Sequence, residues 1–443
     1  MYSAREAHNL TGRAQLPTPQ HLLVKTPPIE YNIPMNKSSK FVFRGYNPDL
    51  KKGEILFNFQ IKRDKNIDFT EKIYFPPITA EIPENLLKSI LNNLMLILGI
   101  SYWKVYCPRE IIIESNFLTK EMADFWNTVY TKGLGEFFYK NKIDFRGRVK
   151  FPFTESIQSP VPFARKDRVL LGLGGGKDSI VTTELLKAQN KDFDLFTVGT
   201  SQIQNDVAEV VGKKAIVIQR ELDSKLFELN NQEGTYNGHV PVSVIYAFLG
   251  LMTSVLYDYN QFVVGNEKSA NYGNVEYLGE IINHQWSKSE EFEKLFRGYV
   301  QKFITMDVSY SSILRNMNEL EVTKEFVKYP KYFKVFSSCN SNFKIRDALR
   351  QAQGLWCGKC AKCLFVFILL CAFLPKEKTL DIFGKNLFED QSLFPLFEEL
   401  IGKKNFKPFE CVGTPEEVKE ALSEIVKRGE FNNTVLIKHF KNL

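Results

Sequence analysis

The chain of 443 residues is 44% apolar and carries a formal net charge of +7. That length and apolar content allow two or three domains around a substantial core. The positive charge is spread along the chain rather than gathered in a tail; it suits anionic small molecules as well as nucleic acid and selects neither. Residues 1–39 lack an apolar core segment and carry several prolines and mixed charges, so no secretory signal is expected there. The longest apolar run, LFVFILLCAFL from Leu364 to Leu374, is far short of the roughly 20 residues of a membrane span and reads as a buried helix. A cytoplasmic location is expected, and the seven cysteines are weighed as thiols or metal ligands before disulfides.

In chain order, 1–39 reads as a flexible lead-in with no sustained period. From Phe41, the runs KFVFRGY, GEILFNFQIK and FTEKIYF are short, aromatic and partly alternating, as in an antiparallel meander. PENLLKSILNNLMLILGISYWK comes next, with Pro83 at a helix start and apolar residues at helical spacing, and a second helix is expected in TKEMADFWNTVYTKGLGEFFYKN. Residues 40–150 thus form a small α+β domain, with RGRVKFPFTESIQSPVPFARKD as its linker to the second half of the chain. From Val169 strands and helices alternate: RVLLGL, DSIVTTELLKAQ, FDLFTVG, IQNDVAEVVGK, KAIVIQR, PVSVIYAFLGLMTSVLYDY, NQFVVGN. The fold class is therefore α/β, a doubly wound parallel sheet over 165–415, where ligands bind at the carboxyl ends of strands. Residues 416–443 read as a helical tail with an amphipathic segment, TPEEVKEALSEIVK.

The turn Gly174-Gly175-Gly176-Lys177-Asp178-Ser179 stands between the first strand and helix of that sheet. Amides freed by glycines ahead of a helix N-terminus favour anions. A Walker loop is excluded, since Lys177 is followed by Asp178 and no glycine lies at the required offset. A dinucleotide fingerprint fails in both registers, which put Lys177 or Ser179 at the third glycine. What remains resembles the PP-loop of ATP pyrophosphatases, S-G-G-x-D-S, with glycine in the usual serine place. The resemblance implies ATP held by Gly174 through Ser179 and cut between its α and β phosphates, with Lys177 supplying charge.

Cys339, in SSCNSNF, lies upstream of Cys357, Cys360 and Cys363 in WCGKCAKCLFVF. Two C-x-x-C steps sharing a member, plus one further cysteine, supply four thiolates at metal spacing. A tetrahedral structural zinc is the simplest occupant; an iron–sulfur cluster also uses C-x-x-C-x-x-C. Cys107, Cys371 and Cys411 stand in apolar or isolated contexts and read as core or surface residues. The loop and cysteines together resemble the 7-cyano-7-deazaguanine synthases over the α/β half, although the spacing from first to second cysteine is longer here.

A fuller resemblance runs through GISYWK, GLGEF, LGGGKDS, YNGHVPV, NEKSANYG, NHQWSK, FSSCN, WCGKCAKCLFVF, IFGKNL and KPFECVG, over about 40–415 but not the lead-in or much of the tail. It is to the UDP-N-acetylmuramoyl-L-alanyl-L-glutamate epimerases of peptidoglycan-precursor synthesis. It implies ATP- and magnesium-dependent inversion of a terminal L-glutamate to D-glutamate by way of a carboxyl adenylate. His239, His284, Glu267 and Lys177 are then the candidate catalytic residues. Glu267 follows a strand end, where it could reach magnesium or substrate or serve as a helix cap. Asn237, Lys268, Asn283 and Trp286 are the candidate contacts to a UDP-muramoyl dipeptide. The alternative is a PP-loop enzyme adenylating a nucleobase or tRNA. The N-terminal domain lacks aromatic and basic interleaving of the kind that grips RNA, and no membrane partner is expected.

Overall fold

A computed structural model describes residues 39–78, 81–115, 117–343, 354–404 and 406–443. All of the expected lead-in except Ser39 therefore lies outside the described residues. Strands β1 (Lys40–Asp49), β2 (Glu54–Lys62) and β3 (Ile67–Tyr74) form the antiparallel meander. Strand alternation puts Phe41, Phe43, Ile55, Phe57, Phe59 and Ile61 on one buried face. The helix Glu84–Leu98, with Pro83 as its N-cap, packs against both β1 and the helix Val242–Leu256. Glu84–Trp103 has the length and mean hydropathy (1.3) of a membrane helix, but its apolar window is 89% buried inside the protein. A four-residue strand, β4 (Glu110–Ile113), adds in parallel beside β1.

The second half begins with β5 (Val169–Gly172), β6 (Phe193–Val198), β7 (Ala215–Glu221) and β8 (Gln261–Val264), all parallel. Strands β9 (Val275–Tyr277) and β10 (Glu280–Ile282) make a separate hairpin, and β11 (Ser309–Ser312) returns beside β8. Helices Lys177–Ala188, Gln202–Val211 and Val242–Leu256 follow β5, β6 and β7. Both faces of this sheet are covered, which is why its strands read as continuous apolar runs. Leu170, Phe196 and Phe262 join the core shared with the meander; Val169, Leu171, Leu195 and Val263 join the core under helices Ala361–Phe373 and Pro415–Arg428. The sheet order is β11-β8-β5-β6-β7, so the winding reverses between β5 and β8. The two loops flanking that switch point are the glycine turn and the segment after Val264.

The α+β and α/β halves separated by the sequence share one nine-stranded sheet, because β3 pairs antiparallel with β7 through Lys72–Glu221, Ile73–Arg220 and Tyr74–Gln219. A buried ion pair sits on that seam: Arg220 Nε donates to Glu71 Oε1 at 2.6 Å and Arg220 Nη2 to Ser101 Oγ at 2.9 Å. Glu71 is fully buried. Glu71→Ala should therefore leave a guanidinium without its counter-charge and lower unfolding free energy by about 3–5 kcal/mol. Denaturant titration checks this; a loss below about 1 kcal/mol would mean that the pair does not hold the seam.

Candidate active site

At the switch point lies a cavity of about 290 Å³, walled by Gly174, Gly176, Asp178 and Ser179 on one side and by Asn266, Lys288, Lys362 and Cys411 among others. Gly175 takes φ +84°, a left-handed conformation that frees the turn to fold back, and its carbonyl accepts from Ser337 N at 3.1 Å. Helix Lys177–Ala188 starts at Gly176 with no side-chain cap, leaving its first amides for an anion. Gly265, after β8, is needed for close approach: a Cβ there would lie 2.9 Å from the Asp178 carbonyl oxygen and 2.7 Å from Thr182 Oγ1.

Lys177 does not face this cavity. It is fully buried, with Nζ donating to Asp178 Oδ1 at 2.5 Å and to a carboxylate oxygen of Glu319. The lysines that line the cavity are Lys288 and Lys362. Glu267 is buried and does not line this cavity; its Oε2 accepts from Ala270 N at 3.2 Å, the helix-cap role. Burial, with Glu319 and Asp178 nearby, pushes its carboxyl up to about 7. Lys268 is exposed, its backbone amide bonded to Met317 O at 2.8 Å.

The two candidate histidines meet at one carboxylate. Glu136, on the short helix Gly135–Lys140, accepts from His284 Nδ1 at 2.5 Å and lies 3.4 Å from His239 Nδ1, while Lys140 Nζ donates to its other oxygen at 2.5 Å. The imidazole centroids are 4.6 Å apart. Burial alone would raise the Glu136 carboxyl, but the hydrogen bond and charge of His284 outweigh it and hold it at about 2. Burial and the His284 charge push His239 down to about 4. Burial opposes the charged form of His284 too, yet its bonds to Cys411 and Glu136 lift it to about 9. One imidazole is thus kept charged beside one kept neutral. Histidine NMR should find a resonance titrating near 9 and another near 4; two ordinary values near 6.5 would contradict this arrangement.

Beyond His284 stands Cys411, whose Sγ accepts from Lys288 Nζ at 3.4 Å. Burial works against a thiolate, but the charges of Lys288 and His284 prevail and hold Cys411 well below the usual thiol range. Glu136, Lys288, Lys362 and Cys411 were not singled out from the sequence. Their one sequence signal is that Glu136, Lys288 and Lys362 sit inside the blocks GLGEF, NHQWSK and WCGKCAKCLFVF, and Cys411 inside KPFECVG.

Of the candidate substrate contacts, Asn237 accepts from Lys104 Nζ at 3.0 Å and from Asn141 Nδ2 at 3.1 Å. Asn283 and Trp286 instead line a second cavity of about 640 Å³, with Thr131, Lys132, Asn271 and Glu291. Asn283 Nδ2 donates to Ala270 O at 2.9 Å and Trp286 Nε1 to Glu291 Oε2 at 3.2 Å.

The four cysteines converge as their spacing implies: the sulfurs of Cys339, Cys357, Cys360 and Cys363 all lie within 4.8 Å of one another. Cys357 Sγ and Cys363 Sγ are 3.7 Å apart, close to the roughly 3.8 Å edge of a tetrahedron with 2.3 Å metal–sulfur bonds. Amides of Lys359 and Cys363 donate to Cys357 Sγ and Cys360 Sγ, each at 3.4 Å, as suits charged sulfurs. This donor set fits one metal.

The glycine turn at the switch point and the cluster of Glu136, His239, His284 and Cys411 beside it mark the candidate active site of this α/β fold. Comparison with known proteins gives the family. Residues 34–313 match the MurL N-terminal domain and 335–443 the MurL C-terminal domain. UDP-N-acetyl-alpha-D-muramoyl-L-alanyl-L-glutamate epimerase from Xanthomonas oryzae is 38% identical over 352 residues, 79% of this chain and 77% of the relative. Those from a Micromonospora species and Salinispora tropica are 35% and 37% identical, covering 92% and 88% of this chain and 91% and 86% of theirs. The chain belongs to the UDP-N-acetyl-alpha-D-muramoyl-L-alanyl-L-glutamate epimerase family. The match extends to residue 443, so the C-terminal tail belongs to the family as well. A solved tRNA methyltransferase subunit from Methanocaldococcus jannaschii aligns over 36% of this chain and 74% of its own at 16% identity and a TM-score of 0.23, too slight a likeness to bear on fold or function.

Proposed function

We propose that this chain inverts the terminal L-glutamate of UDP-N-acetylmuramoyl-L-Ala-L-Glu to D-glutamate by an ATP-dependent adenylation, using a PP-loop. The observation that carries the reading is one cavity holding both an anion cradle (Gly174, Gly176, Ser179) and, through Cys411, the Glu136–His284 acid–base pair. Epimerisation alone needs no phosphate site. A free carboxylate, however, makes the neighbouring Cα–H very weakly acidic, and converting it to an acyl phosphate anhydride changes that.

The glutamyl α-carboxylate oxygen attacks the α-phosphorus of ATP, and pyrophosphate leaves along the glycine turn. The Cα proton is then removed, the electron pair moving into the activated carbonyl as an enolate, and a proton is returned on the opposite face. Water finally cleaves the anhydride, releasing AMP and the inverted carboxylate. Each step asks the chain for positioning, charge and proton transfer. Asp178 is the cavity carboxylate suited to the magnesium that accompanies ATP, a hard cation that takes oxygen ligands. Lys288 and Lys362 supply the positive charge first ascribed to Lys177. A structural zinc in the cysteine site would cross-link the segments that carry its four ligands. Cytoplasmic action belongs to this reading, since ATP is its co-substrate.

The test is turnover of the UDP-muramoyl dipeptide with ATP and magnesium in deuterated water. Deuterium at the glutamyl Cα, D-glutamate after hydrolysis, and AMP with pyrophosphate are expected. ADP with phosphate, or inversion that proceeds without ATP, would sink the adenylation step. The site offers nothing that favours the nucleobase or tRNA alternative.

A further inference from the structure

We infer that Cys411 is the base that takes the Cα proton from the L-glutamyl adenylate, an assignment that rests on the adenylation reading. Four observations converge on it. Cys411 lines the same cavity as Gly174, Gly176 and Asp178, so its sulfur and the cradle share one ligand space. Lys288 Nζ stands 3.4 Å from Sγ and itself lines the cavity. On the other side His284, fixed by Glu136 at 2.5 Å, completes a sulfur–imidazole–carboxylate chain drawn from three distant segments. The loop carrying the thiol is also pinned: Asn274 Nδ2 donates to Lys407 O and Pro408 O at 3.2 and 2.9 Å, Gln285 Nε2 to Val412 O at 3.0 Å, and Glu410 Oε2 accepts from Lys362 N at 2.8 Å.

A core cysteine would not be built this way. Cys107 and Cys371 are buried, and burial raises both their thiols. Cys411 is only partly buried, and the charges of Lys288, His284 and Lys362 draw its thiol well below the usual range. A thiolate is the state in which sulfur accepts a proton, and the four cluster cysteines, set to share one metal, would not be free for that role. In the L-to-D direction Cys411 Sγ gains the Cα proton and becomes a neutral thiol. The C–H electron pair passes into the adenylate carbonyl, where Lys288 and Lys362 face the new negative charge. A donor in exchange with solvent returns a proton on the opposite face, and the thiol loses its own proton to water before the next turnover.

Cys411→Ala and Cys411→Ser, in the full metal-loaded chain, separate the two halves of the reaction. Two readouts are needed: exchange of the glutamyl Cα–H in deuterated water, and substrate-dependent exchange of labelled pyrophosphate into ATP. The variants should lose about 10²–10⁴-fold in Cα–H exchange while pyrophosphate exchange stays within a few-fold of the parent. Cα–H exchange at the parent rate in Cys411→Ala would overturn the assignment, as would a glutamyl thioester on Cys411 in the parent enzyme, which would make the sulfur a nucleophile. If the parent itself shows no pyrophosphate exchange, adenylation fails while the Cα–H readout still judges Cys411. Should the variants not fold, iodoacetamide on the parent serves instead. Alkylation mapped to Cys411 should be slowed by substrate with a non-hydrolysable ATP analogue and should abolish Cα–H exchange; an alkylated enzyme with full exchange overturns the proposal.

Discussion

Glu136→Gln should lower kcat by roughly 10²–10⁴-fold, the range for loss of a positioned acid–base group, with little change in KM for ATP. The glutamine keeps the size of the side chain but carries no charge to hold His284 as an imidazolium. His284 donates to Glu136 and is also bonded to Cys411, so the loss passes directly to the thiolate. The pH profile gives the readout that a merely structural role would not move. In the parent, His284 loses its proton as pH rises through about 9. In Glu136→Gln that alkaline limb should move toward neutrality; an unmoved limb would remove Glu136 from the relay. Stability carries the same signs. The raised His284 contributes fully below its ordinary 6.5 and is lost as pH rises through about 9. The depressed Glu136 contributes above its ordinary 4.5 and is lost as pH falls through about 2. The pair is therefore at full strength between about 4.5 and 6.5, and the stability lost in Glu136→Gln should be greatest there.

What could be read from the sequence was local. The strand–glycine turn–helix unit at Val169–Ala188 is contiguous, so one short stretch of sequence carries its whole pattern. The four cysteines are nearly as local, since three of them fall within Cys357–Cys363. His239 and His284 were singled out, but not the carboxylate that joins them. Glu136 lies on a six-residue helix in the half assigned to a separate domain, and no periodicity links it to the loops after β7 and β10. Lys177 illustrates the opposite error. A lysine after a glycine turn is expected to face phosphate, but Glu319, far along the chain, draws it into a buried ion pair. Cys411 reads as an isolated thiol because Lys288 and His284, which draw its thiol well below the usual range, are supplied by another loop. The β3–β7 pairing that fuses the two halves is equally non-local, and β4, EIII, shows no alternation that marks it as a strand.

Cys360→Ser should strip the metal and weaken ATP binding, even though no cysteine of that cluster lies in the glycine turn. Structural zinc contributes about 10–16 kcal/mol to zinc-finger peptides, as much as or more than the whole stability of a typical domain, so loss of one ligand is a large perturbation. Its route to the cradle runs through Ser337. That residue's hydroxyl donates to Leu355 O at 2.6 Å and accepts from Cys339 N at 3.1 Å, tying together the two segments that carry the ligands. Its amide in turn donates to Gly175 O at 3.1 Å. Ser338 lies so close to Gly176 that a Cβ added there would meet its Oγ at 2.5 Å. Without a metal to join those segments, this strap should no longer hold the glycine turn. Metal analysis should fall from one ion per chain to near none, thermal unfolding should shift to lower temperature, and KM for ATP should rise more than KM for the dipeptide substrate. Cys371→Ser, buried in helix Ala361–Phe373 outside the cluster, is the control and should keep its metal. Unchanged metal content in Cys360→Ser would refute the four-sulfur site, and a lost metal with unchanged KM for ATP would refute the strap.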